Sequence, residues 1–215
     1  MATPRSAAHR VADGSAGELS GSYFGSEAFD DADWSEALIE HADFEACVFT
    51  NVVFRGAKVK VGRFADCTFV NCDLSLVEPV DTVFTGCTFR DSRMVGIDWT
   101  LTREETYLLH GAHVYRGCDI SLSDFTGLDL RDVEFTECRA RDVMFREAKL
   151  VNSSFNQTDL AGADFAHADL SGARLVGAIR VSLDPLITTL DGATLNPITA
   201  IRVVEALGIV VETDE

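Results

Sequence analysis

The sequence predicts an all-β solenoid, a quadrilateral parallel β-helix closed by a short C-terminal helix, on three observations. First, all 14 Phe residues obey one spacing rule: Phe24, Phe29, Phe44, Phe49, Phe54, Phe64, Phe69, Phe84 and Phe89 end in 4 or 9, and Phe125, Phe135, Phe145, Phe155 and Phe165 end in 5. Second, a small residue usually stands two places before the large one, as at Ala32, Ala42, Cys47, Ser92, Ser123, Ala163 and Ala173. Third, the spacing of apolar residues becomes helical after Asn196. A period of five fits neither a helix nor a strand. A chain that buries two residues in five must turn a corner every five. Four corners close a square of about 20 residues, and stacked squares pair as parallel ladders about 4.8 Å apart.

The elements follow in order. Residues 1–20 are small, polar and rich in Gly, Ser and Ala, which predicts a flexible N-terminal tail. It lacks the apolar core of a signal peptide, so the chain is expected to be cytoplasmic. Residues 21–195 form the solenoid. Phe24, Phe44, Phe64 and Phe84 are expected to stack on one face and Phe29, Phe49, Phe69 and Phe89 on the next, with Phe125, Phe145 and Phe165 in a later column. Pro79 falls at an expected large position.

The pattern breaks over residues 100–117, "TLTREETYLLHGAHVYRG". It returns one residue out of phase, since Trp99 and Ile120 lie 21 apart. We read this as a bulge that contacts a partner on an otherwise smooth rod, with Arg103, Glu104, Glu105 and Tyr107 as contact residues. Residues 196–215 close the rod. Asn196 can cap a helix whose first turn holds Pro197. Ile198, Ile201, Val204 (or Val203) and Leu207 follow at helical spacing, Gly208 can end the helix, and the apolar run from Ile209 reads as a short strand. A solenoid end needs a cap, but this one carries surplus apolar surface. A homodimer is therefore expected through Ile198, Ile201, Val204, Leu207 and Ile209.

The remaining chemistry points away from catalysis. Cys47, Cys67, Cys72, Cys87, Cys118 and Cys138 all occupy the small inward position, where a free Cys is a small apolar filler. No close Cys pair suggests a metal site. His110 and His113 form an HxxH that we read as surface loop, and no nucleophile, phosphate loop or cofactor motif stands out. The chain carries 35 acidic and 18 basic residues, a net charge of −17, which argues against direct binding of nucleic acid or an anionic membrane. No apolar run is long enough to span a bilayer.

Segments such as "ADFAHADLSGARL" and "FEACVFTNVVF" resemble the pentapeptide repeat family, whose pattern is A(D/N)LXX. The resemblance implies a right-handed quadrilateral β-helix. "VVEALGIVV" resembles the C-terminal end of the Qnr quinolone-resistance group, and "DLSLVEPVDTVF" and "MVGIDWT" resemble its albicidin-resistance member. That implies a dimeric rod that binds DNA gyrase, or also topoisomerase IV, and relieves poisoning, giving antibiotic resistance or self-immunity.

The charge distribution suits such a role. Residues 1–54 hold 10 acidic and 2 basic residues, residues 55–116 hold 8 of each, 117–183 hold 11 and 7, and 184–215 hold 6 and 1. A dimer of about sixteen turns would be roughly 75 Å long at about 4.8 Å per turn, about 22 base pairs of duplex. On this reading the acidic tip (Asp30, Asp31, Asp33, Glu36, Glu40) and flank (Asp124, Asp129, Asp164, Asp169) stand in for DNA phosphates. The alternative is an acidic interaction scaffold with no topoisomerase role.

Overall fold

The fold was analysed in a computed structural model that describes residues 19–103 and 113–212. Most of the expected tail (1–18), residues 104–112 and residues 213–215 lie outside the described residues. Leu19, which the sequence reading placed in the tail, is buried in the first turn.

The chain is a parallel β-solenoid of about 8 turns. Four faces repeat. The first carries β1 (Tyr23–Gly25), β4 (Asp43–Glu45), β7 (Arg63–Ala65) and β10 (Val83–Thr85). The second carries β2 (Ala28–Asp30), β5 (Val48–Thr50), β8 (Thr68–Val70), β11 (Thr88–Arg90), β12 (Val114–Arg116) and β13 (Glu134–Thr136), and later β14 (Arg174–Leu175) and β15 (Thr194–Leu195). The third is built from single bridges such as Asp33 with Val53 and Asp73 with Arg93. The fourth begins with β3 (Leu38–Glu40), β6 (Lys58–Lys60) and β9 (Glu78–Val80).

The corners explain the period. Two residues after each large one the backbone is usually left-handed, as at Asp31, Glu36, His41, Asn51 and Asp142. That conformation suits Asn, Asp and Gly and costs other residues roughly 1–2 kcal/mol. Where Gly56 sits, a side chain would collide with Glu36 of the preceding turn. The Asp before the large residue pins the corner locally: the N–H of Ser75 donates to Asp73 at 2.9 Å, that of Thr126 to Asp124 at 2.8 Å and that of Ser171 to Asp169 at 2.9 Å.

The core is a set of aromatic columns. Phe24, Phe44, Phe64 and Phe84 stack at 4.9, 4.8 and 4.9 Å, with planes within 13° of parallel. Phe29, Phe49, Phe69 and Phe89 do the same on the next face. Neighbouring columns meet edge-on, as Phe44 meets Phe49 at 5.4 Å and 71°, so both favourable ring geometries are used. Pro79 is accommodated in β9, in register with Val59. The six Cys are buried and free. Each of Cys47, Cys67, Cys72 and Cys87 donates to the carbonyl of the large residue 23 places earlier, at 3.3–3.4 Å. Burial pushes the Cys72 thiol up to about 11 and that of Cys87 up to about 12.

Three expectations need correction. Around the break, Arg93 pairs with Asp119 and Asp98 with Asp124. This turn therefore holds 26 residues, six more than its neighbours, rather than the single extra residue counted from Trp99 to Ile120. The partner of Trp99 is Phe125, stacked at 5.7 Å. Tyr115, which the sequence reading left in the break, belongs to β12. It continues the second-face column between Phe89 and Phe135.

His113 is not on a surface loop. It is half-buried in the small inward position, where its Nδ1 accepts the N–H of Cys87 at 3.3 Å. His110 lies outside the described residues. Finally, residues 209–212 form no strand and pair with none of the described residues. The helix α1 (Pro197–Ala206) does form, with the Asn196 side chain accepting the N–H of Thr199 at 2.9 Å.

Candidate interaction surface

The predicted contact residues lie on the outside of this frame. Arg103 is exposed, and its backbone N–H donates to Thr82 O at 3.0 Å. Glu104, Glu105 and Tyr107 lie outside the described residues. The tip residues run from the end of the second face, across the third and its two corners, to Glu40 at the end of β3 on the fourth. Asp30 ends β2, Asp31 and Glu36 occupy left-handed corners, and Asp33 lies on the third face. Asp31 accepts from the Asn51 amide at 2.8 Å, and Asn51 from Asn71 at 2.8 Å, so one corner carries an amide ladder. The Ser35 hydroxyl and N–H bonded to Asp33 hold its carboxyl below the usual range.

The tip is not free of bases, as the sequence alone implied. Lys60 of the next turn reaches Glu40 at 3.9 Å. The same stacking pairs several other described bases with acids one turn away. Lys58 meets Glu78 at 3.3 Å, Arg63 meets Asp43 at 2.9 Å, Arg116 meets Glu134 at 3.5 Å and Arg139 meets Asp119 at 3.7 Å. These pairs are exposed, so each adds only about 0–1 kcal/mol. Their main effect is to neutralise the bases, and the acids in excess set the sign of the surface.

The flank residues fall on two faces. Asp124 and Asp164 stand on the fourth and Asp129 and Asp169 on the first, one corner apart. Asp164 meets Arg146 at 3.4 Å. Hydrogen bonds from Arg131 lower the Asp129 carboxyl, whose oxygens lie 2.7 and 2.8 Å from the guanidinium.

One acid is bound differently. Asp159 is buried, and it accepts from Arg141 Nε at 2.6 Å and from the Arg180 guanidinium through both carboxylate oxygens. Burial pushes its carboxyl up, but the hydrogen bonds from Arg180 and Arg141 outweigh that and hold it at about 2. Arg180 occupies a third-face large position, so this clasp closes that column near its C-terminal end. Sequence reasoning missed it. The signal available was a charged residue where the pattern calls for a large apolar one.

At the C-terminal end, Thr199 and Val203 of α1 face the core. Val203 is therefore the packed residue, and Val204 stays half-exposed. Ile198 is 67% exposed, Leu207 47% and Ile209 52%, and Ile201 is half-buried. Among the described residues no group of His, Cys, Asp and Glu could hold a metal ion, and no helix is long and apolar enough to cross a membrane.

Comparison with known proteins agrees with this architecture. Residues 109–178 match the model of the pentapeptide repeat region. No curated protein matches the chain. Among solved structures, full-length QnrB1, a plasmid-mediated fluoroquinolone resistance protein, is 20% identical, with 91% of this chain and 94% of that chain covered and a TM-score of 0.53. HetL, a pentapeptide repeat protein involved in heterocyst differentiation regulation in the cyanobacterium Nostoc sp. strain PCC 7120, is 18% identical, with 81% and 85% covered and a TM-score of 0.55. At these identities the likeness establishes the fold. Residues 109–178 therefore match the pentapeptide repeat region, and the described turns outside them keep the same five-residue register in a fold similar to that of these proteins.

Proposed function

We propose that the chain is a non-catalytic acidic rod that binds a type II topoisomerase, DNA gyrase first, on the surface that takes DNA, and so protects the enzyme from a poison. The observation that carries this reading is the electrostatic bookkeeping of the rod. About half of its described bases pair with acids of adjacent turns, and with 35 acidic residues against 18 basic, acids such as Asp30, Asp31 and Glu36 remain in excess at the tip. A stiff rod of this sign suits a basic groove. The fold shared with QnrB1 and the Qnr-like C-terminal tail support the same reading. Two copies joined at α1 would place acidic tips at both ends.

The test is a gyrase cleavage assay with a poison, together with binding at rising salt. Protection is expected, with affinity falling as salt screens exposed charge within about 8–10 Å and with duplex DNA competing. Amide substitution tests the surface cleanly, because Asn keeps the Oδ1 that pins each corner. Converting Asp30, Asp31, Asp33, Glu36 and Glu40, or Asp124, Asp129, Asp164 and Asp169, to amides should weaken gyrase binding in at least one set. Parent-like binding in both, with no competition by DNA, would sink the mimicry. A second reading, an interaction scaffold for another partner, draws on HetL, which shares the fold and has a regulatory role. Absence of any effect on gyrase would favour it.

A further inference from the structure

The corner between the third and fourth faces breaks the polar character of the rod. Its backbone ladder runs from turn to turn, the N–H of Leu76 donating to Val95 O, that of Gly96 to Ser121 O and that of Leu122 to Arg141 O, at 2.9–3.0 Å. The corner residues are left-handed throughout this stretch, and Glu36, Gly56, Asp142 and Gly162 hold the rungs on either side. Among the described residues Leu76 and Leu122 are the only leucines in that conformation. They are also exposed, Leu76 at 55% and Leu122 at 60%.

Leucine is doubly out of place here. A left-handed corner favours Gly, Asn and Asp, and an exposed side chain adds nothing to the core. Neither folding nor solubility therefore accounts for the pair. Gly96 sits on the rung between them. A Cβ there would lie 2.9 Å from Leu76 Cδ2, so the Leu76 side chain lies across the glycine, and Leu122 follows on the next rung. The result is an apolar edge three rungs long, two steps of about 4.8 Å.

The two sides of this edge differ in charge. Glu78, Asp98 and Asp124 each follow a corner residue by two places, so they stand on the same three rungs of the fourth face, with Asp98 and Asp124 bridged. Glu78 meets Lys58 at 3.3 Å. Asp98 and Asp124 accept only local N–H groups, from Thr100 at 3.0 Å and Thr126 at 2.8 Å, and among the described residues neither pairs with a base. On the third face the matching column alternates, Asp73, Arg93 and Asp119. The apolar edge thus has a line of carboxylates along its fourth-face side only.

We propose that this edge is the specificity contact for the topoisomerase: it enters the basic groove of the enzyme with Leu76 and Leu122 against an apolar patch and with Glu78, Asp98 and Asp124 facing the bases beside it. The inference rests on the reading of the rod as a gyrase ligand, and it adds a contact that duplex DNA, which turns its phosphates outward, cannot make. Charge alone steers the rod toward any basic groove and weakens as salt rises. Apolar burial is not screened, so it selects one groove among many and holds the complex once charge has guided it in.

The test measures gyrase binding by the full chain at about 0.1 M and about 0.5 M salt. Leu76→Asn with Leu122→Asn suits the left-handed corner, so Tm should hold or rise, while affinity should fall about tenfold or more at both salt concentrations. A merely structural role cannot give weaker binding from a chain at least as stable. Val61→Asn, a left-handed and 41% exposed position on the next corner, should leave affinity unchanged. Asp98→Asn with Asp124→Asn, which keeps the Oδ1 of each corner, should weaken binding at the lower salt and much less at the higher. Parent-like affinity of the leucine variant, a loss confined to the lower salt, or an equal loss in Val61→Asn overturns the inference and leaves the gyrase reading standing. Parent-like affinity of the aspartate variant at the lower salt removes the carboxylates from the contact. A parent chain that does not bind gyrase overturns both readings.

Discussion

Phe89 stacks on Tyr115 with ring centroids 5.0 Å apart and planes 11° from parallel, although 26 residues separate them where every other step in the column spans 20. The insertion is therefore absorbed entirely between two rungs of the second face, and the column from Phe29 to Phe155 runs on through it.

That continuity makes single rings costly to remove. Phe69 is buried between Phe49 and Phe89 at 4.7 and 4.9 Å. Phe69→Ala should cost about 3–5 kcal/mol, because the backbone ladders keep the neighbouring turns from collapsing into the void. Denaturant unfolding measures this, and a loss below about 1 kcal/mol would place Phe69 outside the core.

His113 should make stability depend on pH. Burial pulls its imidazole down to about 4 from 6.5, so the folded form holds a neutral ring that accepts the Cys87 N–H. As pH falls, the unfolded chain takes up this proton first. The contribution is full above about 6.5 and is lost between there and about 4. His113→Ser should flatten that part of the profile, since Ser92 already accepts the Cys72 N–H at 3.1 Å from the equivalent position. Equal losses of Tm from pH 7 to pH 5 in parent and variant would assign the response elsewhere.

The Asp159 clasp should be worth more than the exposed pairs. Its charge is buried and hydrogen-bonded by two guanidinium groups, so Asp159→Asn is expected to cost about 1.5–3 kcal/mol. Asp119→Asn, which loosens one exposed pair to Arg139 at 3.7 Å, should cost under about 1 kcal/mol. Because the carboxyl is held at about 2, the clasp contributes above the ordinary Asp range and is lost as pH falls through about 2. Chemical denaturation of the two variants at pH 7 separates them, and equal costs would make the clasp an ordinary surface pair.

The exposed face of α1 is expected to meet a second copy. Ile198→Glu with Leu207→Glu should yield a folded monomer by light scattering, since neither residue is buried in the single chain. A folded variant that remains dimeric would exclude this face as the interface.

Of the candidate surface, the acidic balance and the exposed face of the closing helix were legible in the sequence, because both follow from composition and period. The clasp at Asp159 and the pairing of Lys60 with Glu40 were not. They join residues 18 to 21 apart, which are neighbours only once turns stack.

The sequence by itself determined the phase of the solenoid: two residues in five are inward, and the corners, columns and buried Cys follow from that spacing. A period of five fixes position only modulo five. Whether the chain, after its break, rejoins one residue late or six, and on which face, depends on which rings and backbone groups of the turn before are waiting to be covered. Stacking decided that, by bringing Trp99 over Phe125 and Tyr115 over Phe89. Hydrogen bonds and ring contacts between turns act across space, where spacing along the chain carries no information.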